Sequence, residues 1–405
     1  MPSHPTSRIP VLIFGAHIAA LGVLRALALR GIPCYVADAT SDVITRSRWY
    51  RSPGRTLAET DDSDEVADYL RSLDIERAVL IACSDRWALA VSGLPAELRS
   101  RFPSSAPGRE AVEQATDKDL FGALVTRLEI PHPATVDITA LSDLDRITDQ
   151  QLQDGFLKPT SSQLHRRHFG TKGSFVNSRA AAARRVEEAT AAGIQFVFQE
   201  WIPGPHAAGV LIDGLVDRNG AIRALTGRRK VREFPPRLGT TSSSVGIPLD
   251  EVDEAVGAVK RILADIGYRG FFNIEFKLDA RDGHYKIIEF NPRPCWYTGT
   301  IASAGVDLPW LAYLDALDLP VPEARAYPRG RYALYEFGDA NAVLRAVRSR
   351  RRPEGAVLRT WLTGDRALFW WRDPMPAVGG AVQALGRRLS RLVGRARRAP
   401  AEASG

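Results

Sequence analysis

The segment from 271 to 294 predicts a β-hairpin with one apolar and one polar face. In its first half the apolar positions are Phe272, Ile274, Phe276 and Leu278, and the polar positions between them are Asn273, Glu275 and Lys277. Such alternation is typical of a strand that is buried on one side. Residues 280 to 284, which include Asp282 and Gly283, predict the turn.

The hairpin places acidic residues opposite each other. Folding the chain back about Asp282 pairs Asp279 with Tyr285, Glu275 with Glu289, and Asn273 with Asn291. Directly opposed side chains lie roughly 4.5 to 5.5 Å apart, and like charges at that separation repel each other. A positive group is therefore expected beside Glu275 and Glu289.

The polar face of the hairpin offers the oxygen ligands of a hard cation. Asn291 lies two residues beyond Glu289 and therefore on the same face of its strand. Two carboxylates and a carboxamide suit Mg²⁺ that also binds water and substrate phosphates. Arg293 follows on the same side as a fork-shaped donor for phosphate or carboxylate. An ordinary hairpin with two solvated Glu would show the same spacing, so both interpretations stay open here.

Length and composition indicate a soluble protein of two to three domains. The chain has 405 residues, of which 45% are hydrophobic and 25% charged. Its three cysteines, Cys34, Cys83 and Cys295, are too few and too widely spaced for a disulfide framework or a zinc site, so we expect a cytoplasmic protein. The apolar run from 11 to 29 predicts a buried strand that enters a helix and not a signal peptide, and no other segment predicts a membrane span.

The positive charge is concentrated at the C-terminal end. Of the net +7, residues 331 to 405 carry +9 and residues 1 to 330 carry −2. Residues 380 to 398 place apolar side chains on one stripe with arginines around it, as in a basic amphipathic helix. Peripheral contact with an anionic membrane is one interpretation of this helix, and a solubilising or disordered end is the commoner explanation of such an Arg-rich terminus. It contains no aromatic residue, so nucleic-acid binding is not expected.

Lysine is rare, which makes its positions informative. The seven among 54 basic residues are Lys118, Lys158, Lys172, Lys230, Lys260, Lys277 and Lys286. In a chain so biased towards Arg, some Lys are expected where a compact point charge is needed. We interpret Lys260 and Lys286 as ordinary surface residues.

Residues 10 to 115 alternate strand and helix signals, which predicts βαβ units and a parallel sheet. The dinucleotide fingerprint would require glycine at 17 and 20, where His17 and Ala20 stand. Asp38 ends the second strand as a ribose-binding acid would. An NAD-dependent oxidoreductase is therefore one alternative, and the missing glycines oppose it.

The pattern changes after residue 115. A helix begins at a Thr116 or Asp117 cap, and Lys158 ends a short strand ahead of a polar loop from 160 to 173. A helix at 178 to 192, a strand at 196 to 204 and a helix at 249 to 266 follow. Residues 234 to 246 are rich in Gly, Pro, Ser and Thr, which predicts a flexible loop that covers a site.

Five motifs in this region resemble those of ATP-grasp enzymes in order and spacing. They are TDK at 116 to 118, LKP at 157 to 159, QEWIPG at 199 to 204, IEF at 274 to 276 and IEFNPR at 288 to 293. The likeness extends over roughly residues 10 to 315. It is strongest to carbamoyl phosphate synthetase-like and D-aspartate ligase-like carboxylate-amine ligases, which have a similar KP-x-x-S segment and a later segment similar to GVDLP at 305 to 309.

The resemblance implies an α/β protein with three parts. Residues 1 to 115 would form a Rossmann-like domain with a parallel sheet, and residues 116 to 320 an ATP-grasp domain whose two subdomains clamp ATP. Residues 321 to 405 would form a C-terminal extension that carries the basic amphipathic helix.

The resemblance also implies a role for each motif. Phosphate contacts would come from Lys118 and Lys158, and the adenine hinge from Gln199, Glu200, Trp201 and Ile202. Glu200 or His206 would reach the ribose. Glu275, Glu289 and Asn291 would hold two Mg²⁺ ions, with Mn²⁺ as an alternative. Arg293 would face the reacting phosphoryl group and, with Lys158, is a catalytic candidate.

One departure from the family concerns the loop after Lys158. Many ATP-grasp enzymes have a run of glycines there, whereas this loop keeps only Gly170 and Gly173. Side chains would then replace backbone contacts to the phosphates, with Lys172 as the first candidate.

The implied activity is an ATP-dependent ligase that joins a carboxylate to an amine. Phosphoryl transfer from ATP would give an acylphosphate and ADP, and the amine would then attack the acyl carbon. Lys230, Arg232 and Arg237 would supply further donors or form a basic solvated loop. A nucleotide-binding regulatory protein without turnover is the alternative that the altered loop supports. The sequence identifies neither of the two small-molecule substrates, and it does not specify the oligomeric state.

Overall fold

The computed structural model of the protein describes residues 9–38, 40–159, 168–169, 173–383 and 386. These residues form three β-sheets with helices packed against them. Lys172 and nearly all of the segment from 384 to 405 lie outside the described residues. The predictions for Lys172 and for most of the basic helix at 380–398 therefore stay predictions.

The N-terminal sheet is parallel, with the strand order β2-β1-β3. Its strands are β1 (Val11–Phe14), β2 (Cys34–Val36) and β3 (Val79–Ala82). The helices of this region are α1 (Ile18–Leu29), α2 (Asp42–Thr45), α3 (Ser63–Arg71), α4 (Asp85–Ser92), α5 (Ala96–Arg101) and α6 (Arg109–Thr116). The apolar run at 11–29 is thus a buried strand followed by a helix, as predicted.

A small antiparallel sheet follows, with the strand order β4-β6-β5. It consists of β4 (Thr135–Ile138), β5 (Gly155–Pro159) and β6 (Phe196–Glu200), so the strand predicted to reach 204 ends at Glu200. Around it lie α7 (Lys118–Arg127), a 3-10 helix (Leu141–Arg146), α8 (Asp149–Gln153) and α9 (Arg179–Ala191). Asp117 caps α7 by accepting the N–H groups of Asp119 and Leu120, both at 3.0 Å.

The large sheet has seven strands in the order β11-β10-β7-β8-β9-β12-β13. They are β7 (Gly209–Val216), β8 (Ile222–Phe234), β9 (Thr240–Ile247), β10 (Gly270–Leu278), β11 (Tyr285–Asn291), β12 (Tyr332–Leu334) and β13 (Asp365–Arg366). The accompanying helices are two 3-10 helices (His206–Ala208 and Leu249–Val252), α10 (Asp253–Asp265), α11 (Thr298–Ser303), α12 (Leu308–Ala316), α13 (Glu336–Arg348) and α14 (Val357–Thr363). Residues 375 to 383 are also helical.

The two faces of the large sheet differ in polarity. One face packs on α10 through side chains with no exposed surface, including Ile212, Ile274, Phe276, Val259 and Ile262. Because successive side chains on a strand alternate between faces, Asn273, Glu275 and Lys277 all lie on the other side. The apolar face therefore holds the hairpin in place while the polar face remains available for chemistry.

The predicted register of the hairpin is correct near the acids and wrong near the turn. Glu275 pairs with Glu289 and Asn273 with Asn291, as predicted. A β-bulge between Glu275 and Phe276 then shifts the pairing, so Tyr285 lies opposite Leu278 and not Asp279. The prediction counted equal numbers of residues on both strands, whereas a bulge adds one residue to one of them.

The predicted flexible loop at 234–246 is mostly strand β9. Thr240 to Ile247 pair with β8 on one side, and Ser243 to Val245 also pair with β12 on the other. Ser243 and Ser244 are fully buried, and Ser244 accepts a hydrogen bond from Arg228 at 2.8 Å. The hydroxyl of Ser243 has no hydrogen-bond partner in the described structure, so the pairing of this Ser- and Thr-rich segment with both neighbouring strands, and not its side chains alone, makes it an inner strand. Only residues 235 to 239 form the turn.

The N-terminal region is packed directly on the region that contains the large sheet. Helix α1 touches α11 so closely that a Cβ atom at Gly22 would lie 2.7 Å from the backbone nitrogen of Gly299. Any larger residue at this position would force the two helices apart. The close contact fixes the N-terminal end of α11 relative to helix α1.

Residues 331–383 are held by buried ion pairs. Fully buried Asp339 accepts hydrogen bonds from Arg232 at 2.8 and 3.0 Å and from Trp361 at 2.9 Å. On the other side, Arg25 of α1 donates to Asp373 at 3.0 Å. The C-terminal segment is thus joined to both the large sheet and the N-terminal region. Within the described residues, no helix is long and apolar enough to span a bilayer.

Candidate active site

The acidic side of the site lies on β10 and β11. Glu275 and Glu289 are direct cross-strand partners, and Glu289 is exposed. Asn273 and Asn291 form the next pair along the same face, and both are buried. The hairpin therefore brings together two carboxylates and two carboxamides, because each strand contributes one glutamate and one asparagine that are two residues apart.

The positive group expected beside the acids is Lys230 on β8. Its Nζ atom forms an ion pair with Oε1 of Glu275. Burial alone would lower the pKa of Lys230, but the attraction of Glu275, helped by Glu233 and Glu289, outweighs burial and raises that pKa. Lys230 is therefore a charged part of the site.

Arg293 joins the hairpin to the N-terminal region. Its guanidinium donates to both carboxylate oxygens of Asp85, at 2.8 and 3.3 Å, where Asp85 begins α4. The same guanidinium donates to Oδ1 of Asn291 at 2.7 Å. The arginine is thus oriented by a two-pronged contact and held next to a predicted metal ligand.

The basic side of the site lies on the small sheet and α7. Lys118, the first residue of α7, donates to the carbonyl oxygen of Pro159, and Nζ of Lys158 lies 3.4 Å from Oε1 of Gln199. Burial lowers the pKa of Lys118 to about 8; the charge of Lys158 acts in the same direction and that of Glu289 opposes it. Lys118 therefore lies within electrostatic reach of both Lys158 and the acidic hairpin.

The predicted adenine hinge follows the end of β6. The N–H groups of Glu200 and Trp201 are already bonded to the carbonyl oxygens of Ala134 at 2.9 Å and Asp154 at 2.7 Å. In the described part of the chain, the N–H of buried Ile202 has no hydrogen-bond acceptor. The backbone donor available at the hinge is thus that of Ile202.

The two predicted ribose contacts lie in different surroundings. The Glu200 carboxylate accepts from the N–H of Ala134 at 3.1 Å and pairs with Arg281 at 2.6 Å. His206 lies 3.4 Å from Glu233, whose pKa burial raises to about 7. His206 also approaches Glu354 of the C-terminal segment at 3.8 Å. His206 thus belongs to the charged cluster around Lys230, whereas Glu200 is held by the hairpin turn.

Trp201 lies where the small sheet meets the hairpin. Its ring packs edge-on against Phe156 and Phe175, with centroids 6.0 and 5.4 Å away. Nζ of Lys277 on β10 lies 4.7 Å from the centroid of the same ring. This contact connects the segment that follows β6 of the small sheet to strand β10 of the large sheet.

The three basic residues at 230, 232 and 237 do not act as a group. Lys230 and Arg232 are buried on β8, so the solvated-loop interpretation is wrong for them. The guanidinium of Arg232 donates hydrogen bonds to the carboxylate of Asp339 and to the backbone carbonyl of Glu354. Arg237 lies over the ring of Phe175, with 4.8 Å between its guanidinium carbon and the ring centroid. Lys230 alone among them contacts the acidic hairpin.

The donor set of the hairpin fits Mg²⁺ that binds together with phosphates. No cluster of three His, Cys, Asp or Glu side chains capable of holding a metal occurs among the described residues. These residues therefore do not form a site in which protein side chains alone coordinate Zn²⁺ or Ca²⁺. Two carboxylates and the Asn291 amide oxygen instead match the way Mg²⁺ binds through a few protein oxygens and substrate phosphates.

Sequence reasoning missed part of this site. Lys277, Glu233 and Asp213 were not recognised, although Lys277 belongs to the rare lysines. Asp213 lies on β7, which is next to β10 in the sheet, and Glu233 lies on β8, one strand further away; both strands are distant from the hairpin in sequence. The strand order that places them there cannot be read from local alternation of residues.

Comparisons with known proteins agree with this arrangement. No protein-family model matches the chain. The chain is 26% identical to a D-aspartate ligase of Enterococcus faecium over 245 residues, which cover 58% of this chain and 56% of that protein. The chain thus spans little more than half the length of this relative.

Solved structures with the same fold cover more of the chain. Carboxyaminoimidazole ribonucleotide synthase of Aspergillus clavatus, determined with ATP, matches with a TM-score of 0.61 at 14% identity over 80% of this chain and 82% of that chain. The L-amino acid ligase of Bacillus licheniformis matches with a TM-score of 0.56 at 14% identity over 81% and 79%. The predicted fold is confirmed: this chain has the α/β fold of the ATP-grasp enzymes, preceded by a Rossmann-like parallel sheet.

Proposed function

We propose that this protein is an ATP-dependent carboxylate-amine ligase that forms an amide or peptide bond through an acylphosphate and releases ADP and phosphate. One observation carries the proposal. Lys118 and Lys158 form no ion pair with any described residue, and Lys118 lies within electrostatic reach of Glu289, which faces Glu275 across the hairpin. A nucleotide phosphate chain needs both cationic donors and metal-binding carboxylates. The two sides of this cleft supply one kind each.

The nucleotide would bind along the junction of the small and large sheets. Lys118 and Lys158 would contact its phosphates as point charges, since no described residue forms an ion pair with either of them. The N–H of Ile202 would donate to the base edge, and His206 would reach the ribose. Trp201 would close the cleft behind the base through its contact with Lys277.

The metal ligands would be Glu275, Glu289 and Asn291, which hold one or two Mg²⁺ or Mn²⁺ ions. Such ions, when bound, neutralise the developing charge on the transferred phosphoryl group. Arg293, held by Asp85, would bind the equatorial oxygens of that group. Lys230 would steady Glu275 and donate to the oxyanion formed when the amine attacks the acyl carbon.

The substrates would be small molecules, and amino acids are the first class to test. The relative that matches by sequence is named a D-aspartate ligase, and one structural neighbour is an L-amino acid ligase. A free carboxylate on one partner and a free amine on the other define the required chemistry.

The proposed function is tested by ADP release from a matrix of amino acids and short peptides. The expected result is ADP, and not AMP, released only when a carboxylate and an amine are both present. Release of AMP would contradict the acylphosphate route. Tight Mg²⁺-dependent ADP binding without turnover on any pair would favour the alternative, a nucleotide-binding regulatory protein.

We also propose that the C-terminal segment contacts an anionic membrane surface. Leu358, Leu362 and Trp371 are about three-quarters exposed, at 72%, 75% and 75%. The ring of Trp371 lies 6.5 Å from that of Phe369, over which Arg366 is placed at 5.8 Å. Exposed apolar side chains among arginines suit a lipid surface of negative charge.

The charges of this segment support an anionic partner. Of its five acids in residues 331–383, Glu336, Asp339 and Asp373 are buried, Asp365 is paired with Arg331, and Glu354 lies 3.8 Å from His206. Arginines without an ion pair among the described residues remain at 345, 348, 350, 351, 352, 359, 366 and 372. The exposed part of the segment is therefore positive.

Sedimentation with vesicles tests the membrane contact. The full chain is expected to sediment with vesicles that contain phosphatidylserine and not with neutral vesicles, and sedimentation should fall in the variant Leu358→Ser, Leu362→Ser, Trp371→Ser. A chain shortened by residues 384–405 separates the contribution of the predicted amphipathic helix. No sedimentation of the full chain with anionic vesicles would overturn the proposal.

A further inference from the structure

A buried carboxylate with one oxygen that has no hydrogen-bond partner in the described structure lies behind the acidic hairpin. Asp213 on β7 is 3% exposed, and its Oδ2 atom has no hydrogen-bond partner in the described structure. Burial raises its pKa to about 7, although Arg228, Asn273 and Tyr297 act in the opposite direction. A buried carboxylate is costly unless paired, so its presence points to a role beyond packing.

Asp213 begins a chain of hydrogen bonds that ends at the reacting side of the site. Its Oδ1 atom accepts from Nδ2 of Asn273 at 2.9 Å. Oδ1 of Asn273 accepts from Nδ2 of Asn291 at 3.1 Å, and Oδ1 of Asn291 accepts from Arg293 at 2.7 Å. Four residues on three neighbouring strands and the following loop are thus connected in one direction.

The direction of this chain agrees with the chemistry of both of its ends, because Asp213 accepts from Asn273 and the guanidinium of Arg293 can only donate to Asn291. A carboxamide has a donor end and an acceptor end of nearly the same shape, so either end fits the same space. Oδ1 of Asp213 accepts in the observed arrangement, and it therefore requires the Nδ2 end of Asn273. Asn273 must then present its oxygen to Asn291, and Asn291 must present its own oxygen away from Asn273.

Tyr297 is the useful contrast in this cluster. Its hydroxyl group accepts a hydrogen bond from Nδ2 of Asn273 at 2.8 Å. A hydroxyl group both donates and accepts, so it would accommodate either orientation of Asn273. Asp213, and not Tyr297, determines which end of the carboxamide points in which direction.

We propose that Asp213 is a positioning residue that acts through Asn273 and, together with Arg293, keeps the amide oxygen of Asn291 on the side away from Asn273, where the metal of the proposed function would bind. This inference rests on the metal site of the proposed function. With the opposite orientation, Asn291 would present N–H groups to a cation and would repel it. Groups that orient metal ligands in this way typically affect metal affinity by roughly 10- to 100-fold.

The test measures Mg²⁺-dependent ADP binding by calorimetry in the full chain. The quantity compared is the Mg²⁺ concentration that produces half of the increase in ADP affinity. Asp213→Asn is expected to raise this concentration at least about tenfold, while ADP binding in EDTA stays unchanged. Tyr297→Phe is the matched control and is expected to change it less than about threefold, because Asp213 still fixes Asn273.

A double exchange separates hydrogen-bond direction from general disruption of the core. In Asp213→Asn, Asn273→Asp the new amide donates to the new carboxylate, which again accepts from Asn291. This variant is expected to restore the Mg²⁺ requirement to within about threefold of wild type. A purely structural role of Asp213 predicts no such rescue, and thermal unfolding of each variant shows whether it is folded.

The outcomes distinguish this inference from the proposed function. An unchanged Mg²⁺ requirement in folded Asp213→Asn, or a double variant that is folded but not rescued, overturns the role of Asp213 and leaves the metal site intact. If wild-type protein binds ADP equally well with and without Mg²⁺, both the metal site and the role of Asp213 are overturned.

Discussion

The two sides of the cleft contain lysines in opposite electrostatic states. Lys230, on the large sheet, is paired with Glu275, and its pKa is raised. Lys118, beside the small sheet, contacts a backbone carbonyl, and burial lowers its pKa to about 8. The first lysine has a carboxylate for its charge, whereas the second lacks one. The difference supports the proposed contact between Lys118 and a nucleotide phosphate.

The same contrast applies to the acids. Glu275 has Lys230 as a partner, whereas Glu289 is exposed and forms no ion pair within the described structure. A cation bound at the hairpin would therefore neutralise the charge of Glu289, since that of Glu275 is already balanced by Lys230. Phosphates on one side and a metal on the other would satisfy the unpaired charges of both sides together.

The strongest way to break this comparison is to neutralise the unpaired acid. Glu289→Gln keeps the shape of the side chain and removes its charge, so ADP release with an active substrate pair is expected to fall by roughly 100-fold or more. Glu187→Gln, at an exposed position on α9, is the matched control. Near-normal ADP release from Glu289→Gln would remove the metal assignment.

A smaller effect is expected on the other side of the cleft. Lys158→Gln should weaken ADP binding by about 10- to 100-fold, since a hydrogen bond to a charged group contributes roughly 1.5 to 3 kcal/mol. Calorimetry measures the change. Lys260→Gln, on the exposed side of α10, should leave ADP affinity unaltered. Equal affinities of the two variants would contradict a phosphate contact by Lys158.

The smallest effect concerns pH and separates Lys118 from Lys230. Lys118 is protonated below its pKa of about 8 and loses its charge as pH rises through that value. Bound phosphate favours the charged form and raises the pKa, so ADP affinity should fall by up to about tenfold per pH unit above pH 8. Lys118→Arg should bind ADP with little change between pH 7 and 9.5. The same slope in this variant would show that another group titrates.

Local sequence patterns predicted much of this architecture because they report local geometry. Alternation of Asn273, Glu275 and Lys277 fixed the polar face, and the pairing of Glu275 with Glu289 is confirmed. The Asp117 cap correctly placed Lys118 at the first turn of α7. In each case the deciding interactions lie within a few residues or across one tight turn.

The elements that were mispredicted depend on distant partners. Strand β9 looked like a loop because its Ser and Thr residues suit a turn, and its pairing with β8 and β12 decided otherwise. The contact of Lys230 with Glu275 requires the order β10-β7-β8 in the sheet. The role of Asp339 depends on Arg232, which lies 107 residues away in sequence.

The most direct test of the account is a crystal structure with ADP and Mn²⁺, in which anomalous scattering locates the metal. The account predicts an anomalous peak within coordination distance of Glu275, Glu289 and the amide oxygen of Asn291, with the ADP phosphates on its other side near Lys118 and Lys158. ADP bound in the cleft with no anomalous peak at the hairpin, or with the two glutamates turned away from the phosphates, would contradict it.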